Sequence, residues 1–480
     1  MKKICYLNIL LSALLLIPAC QKDVTPPQAY GPVPDENQMA WHEREQFAFI
    51  HFTTNTFTDK EWGYGDEPES VFNPTAFDAD QWVRIAKEAG LTGIVLTCKH
   101  HDGFCLWPSD YTEHSVKNSP WMDGKGDVVK AVSDACKKYG LFFGVYLSPW
   151  DRNFARYAFP EYITYYRNQL TELLTKYGEV SEVWFDGANG GDGYYGGARE
   201  MRKIDAGKYY DWENTYAIVS KLAPKAVMFG GPTIRWCGNE RGFAGETNWN
   251  TYNYGDTMYQ GDVIKRLNSG DENGASWLPA EVDVSIRPGW FYHAKEDDRV
   301  KSPETLFKIY LESVGRGSSL ILNLPPDRRG VLHENDVRSL LGWKKLLNEA
   351  FANNLAAGAK AKADKWRGKS KLYAASNVTD GKKDTYWATD DGVTSGTLEI
   401  TLPKGKTLNY ILLQEYIRLG QRIKSFTVEA KKGDKWEPVA EGTTIGYKRI
   451  LPLNGVEASA LRINITDAKA CPLISNIEVF

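Results

Sequence analysis

The chain predicts an α/β protein in two parts, a (β/α) TIM-like barrel followed by an all-β antiparallel sandwich. Three observations lead there. Short apolar runs at 47–51, 93–97, 141–147 and 180–185 are rich in β-branched and aromatic residues, as strands buried on both faces are. Segments of helical period separate them. After residue 371 the pattern changes to runs of alternating apolar and polar residues, at 398–402, 410–414, 425–430 and 460–465, bounded by glycine or proline turns. At 480 residues the chain is also too long for one ordinary core.

Taken in order, residues 1–19 read as an export signal: Lys2 and Lys3 precede an apolar stretch, 9–17, that is short for a bilayer span. It ends in Leu16-Ile17-Pro18-Ala19-Cys20, which resembles a bacterial lipoprotein signal, with cleavage before Cys20 and lipid on its sulfur. An ordinary secretory signal with a chance cysteine is the alternative. Residues 20–38, with Pro26, Pro27, Pro32 and Pro34, suit an extended tether.

The barrel is expected over 39–354. Helix 80–89 follows the first strand, with Trp82, Ile85, Ala86 and Ala89 at helical spacing and Gly90 as its stop. Helix 127–139 turns Val128, Val129, Val132 and Cys136 inward and ends before Gly140. Helices at 162–177 and 213–222 lead into strands 180–185 and 226–229. Ser302-Pro303-Glu304 opens a helix with a cap and a proline at its first position; strand 319–324 and a closing helix, 344–354, come after it. Repeated βα units argue for a barrel, although the spacing does not yield a count of eight. Residues 230–290 are irregular and rich in glycine and aromatics, as long loops over a barrel mouth are. Residues 355–480 form the sandwich.

Composition narrows the function. The 58 basic and 61 acidic residues are well mixed and the net charge is −3, which gives no electrostatic case for nucleic acid or an anionic membrane as partner. Membrane contact is expected only through the lipid anchor. The 16 Trp and 26 Tyr suit stacking on sugar C–H faces as well as core filling. Past the signal, Cys98, Cys105, Cys136, Cys237 and Cys471 are odd in number, irregularly spaced and without a Cys-x-x-Cys pair, so buried free thiols are expected.

In parallel sheets chemistry collects just past the carboxyl ends of the strands. His51, His100, His101 and His293 lie at or just past apolar runs, whereas His42, His114 and His333 lie in polar surroundings and read as surface residues. A metal site is disfavoured, because adjacent histidines on an extended strand point to opposite faces and no His-x-Glu-x-x-His pattern exists. No metal and no cofactor are expected. Neutral imidazoles, each with one donor and one acceptor, suit a polyhydroxylated ligand. Asp186 ends Val183-Trp184-Phe185-Asp186, where a charge needs a polar cavity or a helix to cap. As a nucleophile it would need a second carboxyl, about 5–5.5 Å away for retention and about 6.5–9.5 Å for inversion. Glu240, Glu246 and Glu281 are the candidates, with Arg235 and Trp236 shaping the surroundings of Glu240.

Five segments, in order, carry a family resemblance: Phe49-Ile50-His51-Phe52, Glu61-Trp62-Gly63, Lys99-His100-His101-Asp102-Gly103-Phe104, Gly144-Val145-Tyr146-Leu147-Ser148 and Val183-Trp184-Phe185-Asp186-Gly187. Together they resemble the α-L-fucosidases of glycoside hydrolase family 29. The resemblance implies Asp186 as nucleophile of a retaining mechanism, and His51, Glu61, Trp62, His100, His101 and Tyr146 as residues that hold fucose. Trp290 is expected beside the sugar's apolar surface. Arg235-Trp236-Cys237-Gly238-Asn239-Glu240 is similar to the branch acting on α-1,3/1,4-linked fucose, which implies Glu240 as acid/base. His51 as acid/base is the rival. Ser376-Asn377-Val378-Thr379-Asp380-Gly381 with Asp384-Thr385-Tyr386-Trp387 resembles a discoidin-like, factor V/VIII type C domain, expected here in a structural or accessory role. The expected partners are fucosylated oligosaccharides or glycoconjugates. The alternatives are a non-catalytic fucose-binding lipoprotein and a barrel glycosidase for another sugar.

Overall fold

A computed structural model describes residues 24–253 and 261–480. The signal segment 1–19 and Cys20 lie outside the described residues. Among the described residues eight parallel strands form the barrel: β1 (Gln46–Ile50), β2 (Gly93–Lys99), β3 (Phe142–Leu147), β4 (Glu182–Trp184), β5 (Val227–Phe229), β6 (Arg235–Trp236), β7 (Ala280–Ser285) and β8 (Ser319–Asn323). Their spatial order is β5-β4-β3-β2-β1-β8-β7-β6. A parallel bridge from Phe229 to Ile234 draws the two ends together. No helix separates β5 from β6. Only a turn does, with Gly230 at φ +69° and its Cα side pressed against the Phe185 carbonyl, where a Cβ would stand 2.5 Å from oxygen.

Helix α1 (Glu36–Arg44) precedes β1, and α2 (Ala79–Glu88), α3 (Val128–Tyr139), α4 (Glu161–Lys176), α5 (Trp212–Leu222), α6 (Gly261–Ser269), α7 (Pro303–Glu312) and α8 (Glu334–Ala350) surround the sheet. Expected caps are present: the Ser302 side chain accepts from Thr305 N–H, and Gly140 ends α3 in the left-handed region. The closing helix differs from expectation. It begins at Glu334, ten residues before the expected start at 344, because the His333 ring nitrogen accepts from Asn335 N–H and caps it.

Strand side chains alternate between two apolar layers. Phe47, Phe49, Val95, Tyr146, Trp184, Val227, Phe229 and Ile321 fill the barrel interior. Ala48, Ile50, Ile94, Leu96, Phe143 and Val145 pack outward against the helices. No helix of the described residues is long and apolar enough to cross a membrane.

The C-terminal part is an antiparallel sandwich. One sheet runs Ala361–Ala363, Gly396–Thr401, Ala460–Ala468, Ile423–Lys432, Lys435–Gly442; the other runs Trp387–Ala388, Leu473–Val479, Thr407–Glu415, Arg449–Glu457. Its inward residues, among them Leu398, Ile411, Leu413, Phe426, Val428, Ile463 and Ile477, form a core of their own. Part of the expected tether lies against this domain. Arg367 Nε donates to Thr25 O at 2.6 Å, Arg422 Nη2 to Gln28 O at 2.6 Å, and Tyr30 N to Leu419 O at 3.0 Å.

Two expectations about histidines fail. His42 is buried between Trp41, Trp277 and Tyr447, with Trp277 Nε1 donating to its ring at 3.3 Å. His114 is buried beside Glu69, 2.7 Å away. Polar neighbours in sequence hid apolar neighbours in space. Cys98, Cys105, Cys136, Cys237 and Cys471 are buried free thiols, as expected.

Candidate active site

The strand termini bring their polar side chains to one mouth. Tyr146, facing inward from β3, donates its hydroxyl to Asp186 Oδ2 at 2.9 Å. The backbone N–H of Ala188 donates to Asp186 Oδ1 at 2.7 Å. His101 Nε2 stands 4.0 Å from Asp186 Oδ2, and its Nδ1 stands 2.7 Å from Ser148 Oγ. Ser148 in turn donates to Trp150 O at 2.7 Å, so the imidazole is fixed from behind.

His51, at the inner face past β1, pairs through Nδ1 with Asn323 Oδ1 at 2.8 Å, and Asn323 ends β8. The His51 and His100 ring centroids are 5.6 Å apart, and those of His100 and His101 4.0 Å. Both neighbours of the His100-His101 pair therefore face the mouth. The strand argument for opposite faces does not apply to them: β2 ends at Lys99, and Gly103 N–H closes a turn on His100 O at 3.0 Å. Lys99 itself turns outward after a register shift and pairs with Asp151 at 2.9 Å. Asp102 is buried and accepts from Thr53 and Thr54, which holds the loop rather than the mouth.

Burial lowers the pKa of His51 to about 3 and of His101 to about 4, and pushes His100 well below its usual range. Three neutral imidazoles thus offer donors and acceptors without charge. Among the described residues the His100 Nδ1 atom has no hydrogen-bond partner. Burial also raises the Tyr146 hydroxyl, and the Asp186 charge adds to the effect, so Tyr146 stays a donor.

Glu240 lies past β6. Partial burial raises its pKa, and the charges of Asp186 and Glu61 raise it further, against the Trp290 indole, whose Nε1 donates to Glu240 Oε2 at 3.1 Å. Trp290 also lies 5.2 Å from the His51 ring, and so spans from one side of the mouth to Glu240. Glu61 is clamped to the same loop: it accepts from Trp290 N at 2.8 Å, Phe291 N at 3.2 Å and His293 Nε2 at 2.6 Å. Trp62 packs edge-on against His101 and Trp150 and is 54% exposed, which leaves an aromatic surface at the rim.

The other two carboxyl candidates lie elsewhere. Glu281 is fully buried at the opposite end of the barrel, accepting from Trp41 Nε1 at 3.1 Å and Trp184 Nε1 at 3.0 Å. The Glu246 side chain is 81% exposed, 3.8 Å from Arg316. Arg235 is buried and donates from Nη2 to Asn248 at 2.9 Å, while Trp236 Nε1 donates to the buried Asp283 at 2.8 Å.

The glycine-rich segment after Asp186 forms a short hairpin, Gly191–Gly193 with Glu200–Arg202. Arg152 Nε donates to Asp192 O at 2.8 Å, and Gly191, at φ +157°, lies flat on Trp150, 2.7 Å from the place of a Cβ. A side chain there would lift the hairpin off the wall of the mouth.

Ser148 and Asn323 are supporting residues that the sequence reading did not single out for the site, and His293, noted there as a histidine past an apolar run, gains a supporting role. Ser148 and Asn323 stand at the ends of β3 and β8, where the strand-end rule would find them. His293 bridges Asp59 Oδ1 and Glu61 Oε1, both at 2.6 Å. Burial opposes its charge, but the two carboxylates outweigh it and raise its pKa. Among the described residues no group of three or more His, Cys, Asp or Glu is arranged to hold a metal ion.

Comparison with known proteins agrees over both parts. Residues 27–349 match the alpha-L-fucosidase family, and residues 359–478 match the F5/8 type C domain. Alpha-L-fucosidase 1 of Arabidopsis thaliana is 42% identical over 456 residues, covering 94% of this chain and 87% of that protein. A glycoside hydrolase 29 family member from an unknown rumen bacterium is 45% identical, with a TM-score of 0.84 over 95% of this chain and 78% of the other. A Ruminococcus gnavus GH29 fucosidase, solved in complex with fucose, is 34% identical, with a TM-score of 0.85 over 95% and 96% of the two chains. The chain therefore belongs to the alpha-L-fucosidase family, glycoside hydrolase family 29, and is a hydrolase with a barrel active site and a C-terminal F5/8 type C domain.

Proposed function

We propose that this enzyme is a retaining, exo-acting α-L-fucosidase that releases α-1,3/1,4-linked fucose from branched glycans by double displacement. The observation that carries the reading is the unequal treatment of two carboxyls at one mouth. Asp186 receives two hydrogen bonds that suit a carboxylate, whereas Glu240 has its pKa raised by burial and by the neighbouring charges. A carboxyl oriented by two donors and a second one that holds its proton more readily suit the roles of nucleophile and acid.

In the first step an Asp186 oxygen attacks the anomeric carbon. The C–O bond to the leaving sugar breaks, and Glu240 gives its proton to that oxygen. In the second step Glu240 takes a proton from water, the water oxygen bonds to the anomeric carbon, and the Asp186 ester is released as carboxylate. His51, His100, His101, Tyr146 and Glu61 bind the sugar hydroxyls and ring oxygen. Trp62 and Trp290 lie against its apolar face and C6 methyl. Tyr146 and His101 hold the nucleophile's Oδ2 side in register. A lipid on Cys20 anchors the exported enzyme at the periplasmic or outer face of a Gram-negative envelope.

Chemical rescue tests the mechanism. Asp186→Gly with azide yields β-fucosyl azide, and normal turnover by Asp186→Asn removes it as nucleophile. The linkage assignment is tested on Lewis-type trisaccharides against α-1,2-fucosyllactose and an aryl fucoside. Faster release from the α-1,2 substrate rejects it.

A further inference from the structure

The sandwich grips one short stretch of the barrel domain, residues 246–250, directly after the segment that carries Glu240. Gln421 Oε1 accepts from Asn250 N at 2.7 Å, and Gln421 Nε2 donates to Asn248 O at 3.0 Å. A side-chain amide thus pairs with the backbone as a neighbouring strand would. Thr444 Oγ1 accepts from Asn248 N at 2.9 Å, and Arg449 Nη1 donates to Glu246 O at 2.8 Å. Gln421, Thr444, Arg449, Asn248 and Asn250 are all buried, so water does not readily replace these bonds. On the sandwich side the grip is built in advance: Glu415 accepts from Arg422 N, Ile423 N and Gly446 N at 2.8, 3.0 and 2.7 Å, fixing the two loops that present it.

Two routes lead from this stretch to Glu240. Asn248 Oδ1 accepts from Arg235, on the strand five positions before Glu240. Along the chain, Ala244 is held between Glu312 O and Arg316 Nη1, at 2.9 and 2.8 Å. Between Cys237 and Ala244 the segment relies mainly on its own Asn239, whose Nδ2 donates to Phe243 O at 2.9 Å, and on Asn268, which donates to Cys237 O at 3.0 Å. Glu240 therefore rides on a loop anchored at Ala244 by the barrel domain's own Glu312 and Arg316, and the stretch just past that anchor, which also holds Arg235, is fastened by the other domain.

We infer that Gln421, Thr444 and Arg449 of the C-terminal sandwich are positioning residues for Glu240, so that this domain sets how well the acid/base meets the glycosidic oxygen. The inference rests on the proposed role of Glu240. A general acid displaced by a fraction of an ångström loses its effect on a poor leaving group but matters little to a good one. The loss is therefore selective, which a merely structural role would not produce.

The test compares kcat/KM on a Lewis-type trisaccharide and on 2,4-dinitrophenyl α-L-fucoside, in the full-length enzyme, for Gln421→Leu/Thr444→Val. About a tenfold loss on the trisaccharide with less than a twofold loss on the aryl fucoside is expected, with fucose affinity near that of the parent and a lowered melting temperature that still lies above the assay temperature. Thr444→Ser, which keeps the acceptor, restores the trisaccharide rate. Should the double variant fail to fold, Thr444→Val alone is read for the same split, at about threefold. Equal losses on both substrates, or no loss on either, overturn the inference. Glu240→Ala is measured alongside: a split there but none in the sandwich variants overturns the inference alone. No split in Glu240→Ala overturns the acid assignment and the inference with it.

Discussion

The barrel carries a carboxyl pair at each end, and the two pairs behave differently. At the mouth, Asp186 accepts from Tyr146 and a backbone N–H, and Glu240 still touches solvent. At the floor, Glu182 and Glu281 are wholly buried beside each other; a hydrogen bond between the two carboxyls links them, and Glu281 is also held by two indoles. Burial raises both floor carboxyls, each reinforced or moderated by the other and Glu182 by the Arg44 charge. Such a pair shares a proton, and the single negative charge it keeps is offset by the Arg44 guanidinium. The lesson is that residue type does not make a reacting pair. Donors that stabilise one anion, and a solvent-facing gap for substrate, do.

Breaking the mouth pair has the largest expected effect. Asp186→Asn lowers turnover by about 10⁴-fold or more while leaving fucose binding measurable by calorimetry. A loss under about tenfold would erase the distinction between the two ends. Glu240→Gln is expected to cost about 10²–10³-fold on a fucosylated oligosaccharide, and far less on an activated aryl fucoside, with azide giving α-fucosyl azide from Glu240→Ala.

A smaller effect belongs to the clamp beside the mouth. His293→Ala removes a charge-assisted bond to Glu61 and is expected to raise KM about tenfold with kcat little changed. Because the two carboxylates raise the His293 pKa, the charged clamp persists to higher pH than a free imidazole would and loosens as the proton is lost. The KM of the parent enzyme should climb on the alkaline side, and the climb should vanish in His293→Ala.

The floor pair sharpens the comparison through stability instead of rate. Glu182→Gln leaves kcat within about twofold, since the site lies at the other end of the strands. Burial raises the Glu182 pKa to about 7. Protonation therefore favours the folded state: the contribution is full below the ordinary glutamate pKa and is lost as pH rises through about 7. Melting temperature of the parent should fall across that window, and Glu182→Gln should flatten part of the fall.

Much of this was legible in the residue order. Apolar runs marked β1 to β5 and β8, and the histidines and Asp186 at their ends converge on one mouth. β7 escaped notice for a physical reason. Its inward residues are Glu281, Asp283 and Ser285, so a strand lining a polar barrel interior reads as irregular chain. β6 is only two residues long and has no pattern to show. The start of α8 was hidden by a histidine cap. Glu281 stood as a candidate partner for Asp186 because sequence gives a residue's strand but not its height along the barrel axis. His293 was visible as a strand-end histidine, yet its partners Asp59 and Glu61 lie more than two hundred positions away.

The proline-rich segment does more than space two parts of the molecule. From Thr25 its carbonyls are taken up by Arg367 and Arg422 of the sandwich. With the lipid proposed at Cys20, five residue steps remain before the first of these bonds, a reach of at most about 18 Å. The enzyme would then be moored on a short leash by its discoidin-like end, which keeps that domain close to the membrane surface.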